Sequence, residues 1–182
     1  EIENDSALTA YSDEFSGKTL ISGMTIKSGK IVSEKFNKEI GATTFVLSNG
    51  ITVHYKFTDI EKNNVLFEAS SFGGNSMLKD ADLPSAGYVS TFARMSGLGD
   101  YNAIDLGKVL AGKTASSNVS ITELQESISG MSTTKDFETS LQMMHLQFVK
   151  PRFDATSFEV LKNNMNNSLI QRGGDNNFKI AD

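Results

Sequence analysis

Two alternating apolar runs meet at an Asn-Gly pair in TTFVL-SNG-ITVHYKF, residues 43–57. A period of two puts every second side chain on the same face of a strand. Asn49-Gly50 can supply the positive φ angles of a tight turn, so the stretch predicts a type I′ β-hairpin. NNVLFEASSFGG, residues 63–74, follows as another strand, with Val65, Phe67 and Ala69 on one side and Leu66, Glu68 and Ser70 on the other. Upstream, TLISGMTIK and KIVSEKF flank Ser28-Gly29 and read as a further hairpin. NKEIGA then interrupts the strand pattern, and the polar residues 1–18 read as a linker.

Helical periodicity takes over after Gly73-Gly74. DLPSAGYVSTFARMSGLG, residues 82–99, predicts a helix over 84–96, with Tyr88, Phe92 and Met95 on its apolar stripe. Gly97 and Gly99 suit its end, where glycine takes a left-handed conformation. A second short helix covers 102–111, and TASSNVSI and LQESISGM form a strand pair. KDFETSLQMMHLQF places Phe137, Leu141, Met144 and Phe148 on one stripe, and Pro151 stops that helix. Asp154 can cap the last helix, whose stripe is Phe158, Leu161, Met165 and Leu169. Strands and helices come in blocks. That order predicts an α+β fold, a mostly antiparallel sheet with helices packed on one face.

Composition narrows the chemistry. The 182 residues include no cysteine, which excludes disulfides and thiolate ligands or nucleophiles. A net charge of −5 argues against nucleic acid as a partner. No apolar run approaches the ~18–20 residues of a membrane span. His54 and His145 are the two histidines, and neither has a second ligand at helical spacing. No G-x-S-x-G elbow or Walker A loop occurs. The Gly-rich SFGGNS stretch reads as a tight turn, and Asn163, Asn164, Asn166 and Asn167 read as a solvated helix face. Asn4-Asp5-Ser6 and Asn118-Val119-Ser120 match glycosylation sequons at chance level. The residues alone give a domain with no self-contained catalytic, cofactor or metal site.

As an ordered set, the motifs resemble the pitrilysin/insulinase family of zinc peptidases across residues 41–170. FVLSNGITVHYKF is similar to that family's opening hairpin. ASSFGGNSMLKDADLPSAGYVSTFARMSG stands where the family has a strand, a turn and the metal helix. LQFVKPRFDATSFEVL resembles its pair of long helices.

The family's metal helix carries G-x-x-H-x-x-E-H. Gly87 matches the glycine, but Ser90, Ala93 and Arg94 occupy the His, Glu and His positions. Residues 163–168 offer no Glu as a third ligand. These peptidases have two homologous halves, of which one is metal-free. The resemblance therefore implies a non-catalytic domain of the second half, with residues 1–40 as the inter-half linker and 41–182 as the domain, truncated at its C-terminus. It further implies that zinc sits in the catalytic half of the parent. The partners would be that half and a peptide substrate, and the location periplasmic or the cell envelope. The alternative is a non-enzymatic scaffold or binding module on the same fold.

Overall fold

A computed structural model describes Phe15 and residues 18–174. They belong to two compact units, one spanning 22–64 and the other joining residues up to 21 with those from 65 onward. The linker assigned to residues 1–18 lies almost wholly outside the described residues.

The smaller unit is an antiparallel sheet of β1 (Ile31–Asn37), β2 (Ala42–Leu47) and β3 (Thr52–Tyr55), in that spatial order. The Asn-Gly hairpin forms, but not with a two-residue turn. Its loop is Ser48–Gly50: Leu47 N–H donates to the Ile51 carbonyl at 2.8 Å and Gly50 N–H to the Leu47 carbonyl at 2.9 Å. Gly50 takes φ +87°, while Asn49 is not in the positive-φ region. Instead, the Asn49 side chain accepts the Ile51 N–H at 3.2 Å. This is a three-residue loop with glycine at the left-handed position.

The expected hairpin around Ser28-Gly29 does not form. β1 begins at Ile31 and pairs with β2, from Ile31 opposite Leu47 to Asn37 opposite Ala42. The turn is the segment that breaks the strand pattern. Asn37 accepts the Glu39 N–H on its side chain at 2.9 Å, and Gly41 takes φ +62°. An Asx turn plus a left-handed glycine closes the hairpin.

The larger unit contains a second antiparallel sheet of β4 (Val65–Phe72), β5 (Asn118–Ile121) and β6 (Gln125–Ser132), ordered β4-β6-β5. The Gly-rich segment after β4 is a short 3₁₀ turn, Gly74–Met77. It clamps the β5–β6 turn: Asn75 N–H donates to the Thr122 carbonyl and Ser76 N–H to the Glu123 carbonyl. Gly74 N–H donates to the Glu126 carboxylate at 2.7 Å. An internal carboxylate thus occupies the donor that a phosphate loop would offer.

The helices are α1 (Leu83–Ala86), α2 (Val89–Ser96), α3 (Ala103–Val109), α4 (Phe137–Val149) and α5 (Ala155–Gly174). The helix expected over 84–96 is therefore two pieces, interrupted at Gly87-Tyr88. α2 ends at Gly97, with φ +87° and ψ −152°. That region is open essentially to glycine alone and is not the left-handed helical one. A Cβ at Gly97 would also strike the Tyr101 carbonyl.

The core of the larger unit includes Leu98, Val109, Ile128, Met143 and Leu146, the last 1% exposed. α4 lies on β6 and turns inward a face different from the one its apolar pattern suggests. Thr139, Ser140, Met143 and Leu146 are buried, whereas Leu141 and Phe148 of the expected stripe are exposed. On α5, Leu161 and Met165 are half-buried, while Phe158 and Leu169 are exposed.

Candidate functional site

α2 and the edge strand β5 face each other across a groove of about 410 Å³. Ser90, Thr91, Ala93 and Arg94 line one wall. Ala115–Val119 line the other, and Met143, Gln147 and Arg152 complete it.

Three contacts hold α2 in place. Phe92 packs edge-on against Phe153 and Phe158, with ring centroids 5.1 and 5.8 Å away. The Ser157 hydroxyl donates to the Met95 carbonyl at 2.9 Å, tying the start of α5 to the last turn of α2. Asp154 caps α5, as its position in the sequence predicts, by accepting the Ser157 N–H at 2.8 Å. That backbone bond, reinforced by the Ser157 hydroxyl and by Arg152 at 3.3 Å, holds the Asp154 carboxyl below the usual carboxylate range.

β5 pairs with β6 on one side, and no described strand pairs with it on the other. Ser116 N–H donates to the Met131 carbonyl and Thr122 N–H to the Gln125 carbonyl. Hydrogen-bonded and open positions alternate in an antiparallel pair. The backbones of Ser117 and Val119 therefore face away from β6. Gln147 takes the first, since its side-chain amide donates to the Ser117 carbonyl at 2.9 Å. The Val119 N–H and carbonyl lie on the open edge, beside the groove.

The positions that carry zinc ligands in the family do not fit a metal here. A hydroxyl, a methyl group and a guanidinium, on Ser90, Ala93 and Arg94, offer no anionic or imidazole donor. Neither histidine is among the residues lining this groove. His54 lies on β3 in the smaller unit, bonded to Thr44 at 2.9 Å, and His145 lies on α4 outside the groove lining. Among the described residues, no three His, Cys, Asp or Glu side chains are grouped to hold an ion. On α5, Asn163, Asn164, Asn166 and Asn167 are exposed.

Arg152, Gln147 and the open edge of β5 escape the sequence reading. Arg152 had one signal, a cation two residues before the Asp154 cap, within a segment that reads as a linker. The run Asn118–Ile121 has no proline or charge to mark it as the strand that ends a sheet.

No family model matches the chain. A zinc protease of the PQQL-like type from Arabidopsis thaliana is 39% identical over 83 residues, which is 46% of this chain and 9% of that protein. The periplasmic protease PqqL from Escherichia coli superposes with a TM-score of 0.77 at 18% identity, over 97% of this chain and 19% of that one. The ferredoxin protease FusC, crystallised with Arabidopsis ferredoxin, gives 0.74 at 20% identity, over 90% of this chain and 18% of that one. Among the described residues no helix is long and apolar enough to cross a membrane. The chain has the fold of a pitrilysin/insulinase-like domain and spans less than a fifth of each protease it resembles.

Proposed function

We propose that the chain is a non-catalytic domain of a two-half zinc metallopeptidase, and that it encloses and positions peptide substrate for the catalytic half. The supporting observation is the α2–β5 groove: an open strand edge faces a helix whose ligand positions hold Ser90, Ala93 and Arg94. An extended peptide adds to such an edge by main-chain hydrogen bonds, which need no metal. A second wall also excludes water from the reacting bond. Zinc and its activated water belong to the other half in this reading, and the parent is exported to the periplasm, as its E. coli structural neighbour is.

Reconstitution tests the proposal. A fluorogenic peptide is assayed with the 182-residue chain, with the full-length protein and with the first half alone. The chain is expected to be inert, the full protein active and the first half strongly impaired while still holding its zinc. If the first half matches the full protein, the domain is dispensable and a scaffold role replaces this one.

A further inference from the structure

The lining of the α2–β5 groove holds two cations and no carboxylate, in a chain of net charge −5. Arg94 and Arg152 are the ionisable residues of that lining, and Asp154, outside it, stands 3.3 Å from Arg152. Arg94 is exposed and forms no ion pair among the described residues. Arg152 is anchored from one side by Asp154, and its side chain is part-exposed where it lines the groove. The Val119 edge lies in the same groove.

We infer that this groove selects an extended peptide segment bearing a carboxylate, which Arg94 and Arg152 bind while the Val119 edge takes the peptide backbone. The inference rests on the proposed role in holding substrate and adds its chemical class. Guanidinium–carboxylate hydrogen bonds are charge-assisted and geometrically selective. Backbone pairing at β5 is indifferent to side chains, so the arginines supply the discrimination.

The test uses the full-length protein with zinc removed by chelation, so that peptides bind without being cleaved. Two labelled eight-residue β-prone peptides differ only in one residue, Glu against Gln, and affinity is read by fluorescence anisotropy. The Glu peptide is expected to bind about tenfold tighter, the scale of one charge-assisted bond. Arg94→Gln and Arg152→Gln should each reduce that preference, and Arg94→Glu should invert it towards a Lys peptide. Val119→Pro should weaken both peptides alike. Proline is tolerated on an edge strand and removes only the outward N–H.

A preference that survives both Arg94→Gln and Arg152→Gln overturns the inference. So does equal affinity for the two peptides with both weakened by Val119→Pro, but that result leaves the substrate-holding role intact. If neither Val119→Pro nor Arg94→Gln alters binding of either peptide, the groove holds no peptide and both readings fall. Arg94 is exposed, so its variants retain the fold and keep the comparison decisive.

Discussion

Gln147 holds Ser117 at both ends of its amide: the amide nitrogen donates to the Ser117 carbonyl and the amide oxygen accepts the Ser117 hydroxyl, each at 2.9 Å. A helix side chain thereby covers one outward backbone group of an edge strand and leaves the next, at Val119, open. Covering part of an edge limits unwanted pairing with other chains.

Gln147→Ala strands both Ser117 groups in a part-buried setting. The expected cost is about 1–3 kcal/mol in denaturant unfolding. Ser117→Ala in the same background should add little, because the hydroxyl has already lost its partner. Full additivity of the two variants would show that the pair is not coupled.

Phe92 is half-buried between Phe153 and Phe158. Phe92→Ala should destabilise by about 2–3 kcal/mol, below the ~3–5 of a fully enclosed ring. A double-mutant cycle with Phe158→Ala should return a coupling of about 0.5–1.5 kcal/mol, the scale of an edge-to-face aromatic pair. Zero coupling would mean that α2 and α5 do not meet through these rings.

The sequence makes some of this legible and hides the rest for physical reasons. Asn49-Gly50 marks the first hairpin because turn chemistry is local, yet the loop type turns on whether one residue or two take positive φ. Asp154 is readable as a cap for the same reason: donor and acceptor lie three residues apart. α4 is misread because apolar residues occur around most of its circumference, so more than one stripe fits a helical period. The buried stripe includes Thr139 and Ser140, which a search for apolar residues passes over. Ser90, Ala93 and Arg94 can be placed on their helix by resemblance. The groove they line depends on β5 being the outer strand, a fact of long-range pairing.

Ser140 is fully buried, and its hydroxyl has no hydrogen-bond partner among the described residues. Burying a hydroxyl without a partner costs free energy that alanine does not incur. Ser140→Ala should be neutral or stabilising by up to about 1 kcal/mol. Ser140→Val should instead destabilise, because one methyl replaces the hydroxyl and a fully enclosed site has no room for the second. A loss above ~1 kcal/mol for the alanine variant would reveal a partner for that oxygen, such as a buried water.

Asp136 gives the larger unit an acid-sensitive joint. Its carboxylate accepts the Thr114 N–H at 2.9 Å and the Thr133 hydroxyl at 2.8 Å, linking the approach to α4 with the chain entering β5. The Thr114 backbone bond, then the Thr133 hydroxyl, hold this carboxyl below its ordinary range, and Lys135 and Lys113 add to the effect against the opposing influence of burial. A carboxyl that is more acidic folded than unfolded stabilises the fold wherever it is ionised. Its contribution is full above the unfolded value of about 3.9 and is lost as pH falls through the lower folded value. The melting temperature should therefore be insensitive to this group between pH 7 and 5 and should drop below about pH 4. Asp136→Asn keeps an acceptor near Thr114 but removes the charge. It should lower the melting temperature at neutral pH and flatten the decline below pH 4, so that the two proteins converge in acid. Parallel acid limbs for wild type and Asp136→Asn would assign the acid sensitivity to other carboxylates, with Asp154 and its bond to Ser157 next to be tested by Asp154→Asn.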